Sequence, residues 1–278
     1  MAEIGALIDG KYKILEEIGH GGMSTVYLAM DQSLHKQWAV KEVRREYIID
    51  PVTNERKETE EIRKKNDAYI RSILAEANLI KTLDHPAIPR IVNIINDKDI
   101  LYIVMDYIDG ESLDKVLKNA QGPLHEDDVM DWAAQVCDVL TYLHTHNPPV
   151  MYMDMKPANL MLKSNGFISI IDFGIAFECT AEALENYHRK GGWTKGYAPP
   201  EQLDGKKPKP QMDIYALGMT MYHLLTNEYP PTEASASYVS VRQKNPRLSD
   251  GVDMTIRKCV EPLPENRYRN CEELKECS

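Results

Sequence analysis

Residues Tyr152–Met161 read YMDMKPANLM, and this stretch decides the fold. It carries three side chains with chemistry: Asp154, Lys156 two positions later, and Asn159 five positions after the aspartate. Upstream lies EDDVMDWAAQVCDVLTYLHTH. Its apolar residues Trp132, Val136, Val139, Leu140 and Leu143 recur at helical spacing, and its opening acidic residues suit a helix N-terminus. Downstream, NLMLKSNGFISIID alternates about Asn165-Gly166, a dipeptide that favours a tight hairpin turn. The three polar residues therefore sit on a loop between a long helix and a hairpin. The hairpin ends in Asp172-Phe173-Gly174.

Working outward toward the N-terminus, the first hundred residues change character. KYKILEEIG, STVYLAM, KQWAVKEV and DILYIVMDY are short runs rich in β-branched and aromatic residues and read as strands. One helical pattern interrupts them: in AYIRSILAEANLIKTL, the residues Ile70, Ile73, Leu74, Ala77, Ile80 and Leu83 share a face. Toward the C-terminus, DIYALGMTMYHLL is apolar on every side and predicts a helix buried all round. A mainly β part (1–106) thus precedes a mainly α part (107–278), the change falling near Asp106–Gly110. Residues 44–67 are densely charged. They predict either a solvated helix that precedes or extends the long one, with Glu60–Lys64 and Glu61–Lys65 pairs, or a regulatory docking surface.

The glycines of IGHGGMSTVY, Gly19, Gly21 and Gly22, lie between two strands. Such a turn lets backbone N–H groups approach phosphates, and it is equally an ordinary hairpin turn. Ser24 stands where a third glycine of a G-x-G-x-x-G pattern would be, and a strand follows, so this is no dinucleotide fingerprint. Lys41 is the one charge in the apolar core of WAVKEV. A lysine buried there needs a carboxylate, and Glu76 inside the long helix is the candidate, the alternative being a surface glutamate. Asn159 and Asp172 offer hard oxygen ligands that suit Mg2+ near phosphates, which leaves Asp154 free as a base.

Composition bounds the rest. The chain has 278 residues, 43% hydrophobic and 27% charged, as a soluble globular protein does, and its net charge of −10 argues against a broad nucleic-acid surface. Five cysteines without a C-x-x-C pair predict reduced thiols and no zinc site. The stretch MAEIGALIDG does not read as a signal peptide, and no run of eighteen apolar residues occurs in the sequence.

With glycine turn, Lys41, Glu76, Asp154, Lys156, Asn159 and Asp172 in this order, the chain resembles the catalytic domain of a eukaryotic-like (Hanks-type) serine/threonine protein kinase of the bacterial branch. The likeness runs from about Lys11 to Arg269, with HPAIPRI, GYAPPEQ, DIYALG and PENRY as further matching pieces. It implies an α+β, bilobal fold with a small antiparallel β lobe and a larger helical lobe. It implies transfer of the γ-phosphoryl of ATP to serine or threonine hydroxyls of proteins, with Mg2+, or Mn2+ in its place. By the same resemblance Asp154 is the base, Lys156 steadies the phosphoryl group, Thr194 meets both, Lys41 held by Glu76 orients the α- and β-phosphates, and Asn159 and Asp172 hold the metal. ATP would contact Ile18, Gly19, Gly21, Gly22, Ser24, Val26, Ala39, Lys41, Met105 as gatekeeper, Asp106 to Ile108 as hinge, and Leu162. Asp213 would brace the loop from below, and Glu201 would pair with Arg267. The cytoplasm is the expected compartment, with a membrane anchor in a longer gene product and an N-lobe homodimer as further expectations.

The chain departs from the family in two places. Where the family writes His-Arg before the base, this chain has Tyr152-Met153. Tyr152 can pack on Phe173 as the histidine does, but a thioether cannot hold the activation-loop phosphate that the arginine holds. Trp193-Thr194 replaces Gly-Thr. The expectation is an active kinase that does not depend on activation-loop phosphorylation. The alternatives are a nucleotide-binding pseudokinase acting as a scaffold and a small-molecule kinase of the same fold.

Overall fold

Alternation sets the first element: Tyr12 and Ile14 are buried while Lys13 between them is exposed. The computed structural model describes residues 2–21, 23–49, 56–97, 99–187, 192–232 and 239–277. In chain order the first elements are β1 (Leu7–Ile8), β2 (Tyr12–His20), β3 (Ser24–Asp31), β4 (Lys36–Arg44), β5 (Ile48–Ile49), β6 (Arg56–Lys57), α1 (Glu60–Thr82), β7 (Ile91–Asp97) and β8 (Ile100–Asp106). Six of the strands form an antiparallel sheet in the order β1-β2-β3-β4-β8-β7. One face of the sheet buries Tyr12, Ile14, Tyr27, Trp38, Tyr102 and Val104. The other puts Val43, Leu101 and Ile103 against Ile73 and Ala77 of α1. Helix α1 starts where Thr59 accepts from the N–H of Ile62, with Glu60 and Glu61 in the first turn, a favourable charge for a helix N-terminus.

The molecule divides into two units, one of residues Met1–Asp84 with Ile88–Ile108, the other of His85–Ala87 with Asp109–Ser278. The second unit contains β9 (Gly110–Ser112), α2 (Leu113–Ala120), α3 (Glu126–Thr145), β10 (Val150–Met151), β11 (Leu160–Lys163), β12 (Ile168–Ile170), β13 (Phe177–Glu178), α4 (Ala181–Glu185), α5 (Pro200–Leu203), α6 (Pro210–Thr226), α7 (Val241–Lys244), α8 (Asp250–Cys259) and α9 (Cys271–Glu276). The expected hairpin is β11–β12, and Gly166 at its turn has φ +83°, a conformation natural only to glycine. Helix α6 is buried along nearly its whole length. Helix α3 buries Val136, Val139, Leu140 and Leu143, but Trp132, expected on that face, is half-buried.

The charged segment corrects one expectation. Glu60–Lys64 does form an i,i+4 pair at 2.9 Å, whereas the Lys65 ammonium reaches Glu46 at 2.6 Å, off the helix. A helix extension is therefore only part of the segment: β5 and β6 form a small antiparallel pair beside it. Among the described residues no helix is long and apolar enough to cross a membrane.

Candidate active site

In the first unit, sheet register aligns the residues that the sequence marked. Val26 pairs with Lys41, Ala39 with Met105, and Trp38 with Asp106. Because side chains alternate along a strand, Ala39, Lys41, Ile103 and Met105 share the face that meets α1. There the Lys41 Nζ donates to a Glu76 carboxylate oxygen at 3.3 Å, with the two side chains 19% and 11% exposed. The glycine turn connects β2 to β3. Gly19 lies opposite Val26, and the Gly21 N–H donates to the Ser24 carbonyl at 2.7 Å. Ile18 is exposed, Ser24 is half-buried, and Gly22 lies outside the described residues. Asp106 turns its carboxylate to Arg90 at 2.9 Å and Lys36 at 3.4 Å, and its N–H donates to the Arg90 carbonyl. Ile108, half-buried, closes the unit.

In the second unit, four of the marked residues meet. Thr194 Oγ1 donates to Asp154 Oδ1 at 2.7 Å, and Lys156 Nζ donates to Asp154 Oδ2 at 2.7 Å and to Thr194 Oγ1 at 2.9 Å, closing a triangle. Asn159 Nδ2 donates to the Asp154 carbonyl at 2.9 Å and to its Oδ2 at 3.0 Å. A carboxylate that accepts an ammonium, a hydroxyl and an amide is held in one orientation. Asp172 stands apart from this set: it is exposed, takes φ +65°, and accepts from the Gly174 N–H at 3.1 Å. A non-glycine residue in that conformation is strained, and such strain gathers at functional sites. Leu162 on β11, half-buried, pairs with Glu111 and Ile168.

The loop is braced from below. The fully buried Asp213 of α6 accepts from the N–H of Tyr152 at 2.9 Å and of Met153 at 2.7 Å, and bonds the His144 Nε2 at 2.8 Å. The Tyr152 ring meets Phe173 edge-on at 5.3 Å, and its hydroxyl donates to the Ile171 carbonyl. Burial pushes that phenol far above its ordinary range, so it remains a donor. Sequence reasoning missed two residues. One is His144, a polar side chain at helical spacing from the buried Cys137 and Leu140, a position that demands a partner. The other is buried Gln202, whose Nε2 donates to the Met153 carbonyl at 3.0 Å.

Met153, at φ +72°, is buried with Met151 and Met212 against Ile175, Phe177 and Cys179 of the segment that follows Asp172. Strand β13 of that segment pairs with β10, just before the loop. Burial, with Asp213 adding to it, pushes the Cys179 thiol up to about 11, so it behaves as a small apolar side chain. Between Asp172 and Glu201 the sequence has four hydroxyl residues: Thr180, Tyr187, Thr194 and Tyr197. Thr180 caps α4 by accepting from the Ala183 N–H at 3.1 Å. Tyr187 is buried edge-on against Phe177 at 5.0 Å. Thr194 is in the triangle, and the Tyr197 hydroxyl bonds His223 Nδ1 at 2.6 Å.

A glycine turn in an antiparallel sheet, a lysine–glutamate pair, and a polar loop braced by an aspartate from a buried helix define the protein kinase fold. The chain belongs to that family: the protein kinase domain model matches residues 12–276. Among curated proteins it is 32% identical to the serine/threonine-protein kinase PrkC of Bacillus subtilis, over 98% of this chain and 40% of PrkC. It is 30% identical to PknB of Mycobacterium tuberculosis, also a serine/threonine-protein kinase, over 96% of this chain and 42% of PknB. A probable serine/threonine-protein kinase of Clostridium acetobutylicum is 29% identical over 98% of this chain. The chain spans about 40% of the length of these relatives.

Proposed function

We propose that this domain transfers the γ-phosphoryl group of ATP to serine and threonine hydroxyls of proteins in the cytoplasm, and that it needs no phosphate on its own activation segment to do so. The observation that carries the chemistry is the Asp154–Lys156–Thr194 triangle. Asp154 accepts the proton of the acceptor hydroxyl as the oxygen bonds to the γ-phosphorus and the bond to the departing ADP breaks. The Lys156 ammonium, 2.7 Å from that carboxylate, offsets charge on the moving phosphoryl group. In the first unit the Lys41 ammonium, held by Glu76, is the cation for the α- and β-phosphates.

Asn159 and Asp172 suit Mg2+ or Mn2+. The Asn159 amide nitrogen is engaged by Asp154, which leaves its Oδ1 as a hard ligand, and Asp172 presents an exposed carboxylate. Among the described residues no three His, Cys, Asp or Glu side chains are grouped to hold a metal, so phosphate and water oxygens would complete the shell. The ion would supply positive charge to the phosphates.

Independence from phosphorylation is supported from both sides. Met153 offers a phosphate no charge and no strong donor, and its thioether is enclosed by the apolar residues of the segment itself. Of the four hydroxyl residues of the segment, Thr180 caps a helix, Tyr187 packs its ring on Phe177, and the Thr194 and Tyr197 hydroxyls are hydrogen-bonded. The test of the chemistry is Asp154→Asn. It is expected to bind ATP as the parent does and to lose phosphate incorporation into a generic basic protein by at least about a hundredfold, within the range for a lost general base. Incorporation at the parent rate sinks the assignment.

A further inference from the structure

We infer that Asn66 is a positioning residue for the phosphotransfer reaction: its side-chain amide locks helix α1, which carries Glu76, to the strand that carries Lys41. The inference rests on the reading of Lys41–Glu76 as the phosphate-orienting pair.

Asn66 is 0% exposed, though it lies in the charged run EEIRKKND and asparagine is a poor helix former. It is the first residue of α1 to be buried; the next is Ile73, about two turns on. What it faces is polar. Its Oδ1 accepts from the Glu46 N–H at 2.9 Å, while its Nδ2 donates to the Glu46 carbonyl at 3.0 Å and to a Glu58 carboxylate oxygen at 2.8 Å. The amide thus satisfies both backbone groups of Glu46, as a neighbouring strand would. Ion pairs flank it: Arg45 donates to Asp67 at 2.7 Å and to Glu58 at 3.2 Å, and Lys65 reaches Glu46 at 2.6 Å.

Arg45 and Glu46 follow directly from the end of β4, the strand of Lys41. Asn66 precedes Glu76 on the same helix by ten residues, about 15 Å along its axis. The helix is therefore tied to the strand at two separated points: the Lys41–Glu76 pair and the Asn66 cluster. A helix held by one ion pair and a short apolar patch can pivot about them. A second tie fixes its tilt and its axial position, and with them the reach of Glu76. In this family helix position governs whether the lysine–glutamate pair forms. An amide paired to backbone tolerates no slip, because an axial shift leaves the buried Asn66 amide without its partners on Glu46. Apolar packing would tolerate one. The chain carries this tie permanently, which accords with a kinase that needs no modification to set its helix.

The experiment measures steady-state kinetics of the 278-residue chain for Asn66→Ala, Glu76→Gln and the double variant, with thermal melting to confirm that each is folded at the assay temperature. Asn66→Ala is expected to lower kcat/KM for ATP at least tenfold, and to lower it less than twofold further when Glu76→Gln is already present, because both act through one pair. A residue that merely stabilises the fold would have the same effect in both backgrounds. If Asn66→Ala does not fold, Arg45→Met removes two of the flanking ion pairs, those to Asp67 and Glu58, and keeps the aliphatic stem. It is expected to lower kcat/KM about threefold, again only while Glu76 is intact. Parent-like kinetics in the folded variant, or an undiminished effect in the Glu76→Gln background, overturns the positioning role. Parent-like kinetics for Glu76→Gln itself overturns the reading of the Lys41–Glu76 pair, and the positioning role falls with it. A slow Glu76→Gln beside a parent-like Asn66→Ala overturns the positioning role alone.

Discussion

At Arg267 burial and charge are reconciled by counting. A guanidinium has five N–H donors, and here each finds an acceptor. Nε donates to the Glu261 carbonyl at 2.7 Å, Nη1 to Glu201 at 2.5 Å and the Gln211 carbonyl at 2.9 Å, and Nη2 to Glu201 at 3.0 Å and the Pro262 carbonyl at 3.2 Å. Its side chain is 0% exposed and that of Glu201 is 6% exposed. Removing one partner leaves the other charged, buried and unmatched, a loss of about 3–5 kcal/mol. Glu201→Ala and Arg267→Ala are therefore expected to destabilise by similar amounts in urea unfolding, and the double variant by clearly less than their sum. A sum that is simply additive would show the pair to be energetically independent. Met153 illustrates the opposite solution: a neutral side chain enters an apolar cluster.

At the level of elements, α6 shows how a helix apolar on every side is used. It lies against α8 so closely that a Cβ built on Gly218 would stand 2.6 Å from the Cys259 Cβ and 2.9 Å from the Val260 Cγ1. The Cys259 Cβ is fixed to the backbone of α8 and cannot swing aside. Gly218→Ala gains up to about 1 kcal/mol of helix propensity, against an overpacking cost of about 1–3 kcal/mol. The expected net result is a melting temperature lower by a few degrees; an unchanged or raised value would mean that α8 yields. Helix α1 teaches a different lesson. Its i,i+4 spacing offers Glu61 to Lys65, yet Lys65 takes Glu46, because the chain just after β4 is bonded to Asn66 and so brings a second carboxylate beside the helix. Local spacing states which partners are possible, and the packing of neighbouring elements selects among them.

For the whole molecule, the proposed function predicts a rate that does not depend on a phosphate in the activation segment. Kinases that carry an arginine before the base use a loop phosphate to order the segment. Here β13 pairs with β10, Met153 packs among Ile175, Phe177 and Cys179, and Tyr187 packs on Phe177. Treating the purified protein with phosphatase is expected to leave its initial rate on a protein acceptor within about twofold. A fall of more than about tenfold, roughly 1.4 kcal/mol of barrier, would mean that a phosphate does order the site.

The sequence by itself determined the strand-rich and helix-rich halves and the hairpin at Asn165-Gly166, and it marked Asp154, Lys156 and Asn159 as one group, since these depend on local periodicity and on the order of a few residue types along the chain. Lys41 with Glu76, Asp213 under the loop, Tyr152 on Phe173 and Glu201 with Arg267 were legible through family resemblance, because those motifs carry their partners with them. Only the tertiary structure decided that His144 and Gln202 complete the brace, that Lys65 leaves its helix for Glu46, and that Asn66 is buried. Each depends on which backbone groups another element leaves facing the residue, and nothing in a residue's own neighbourhood along the chain encodes that.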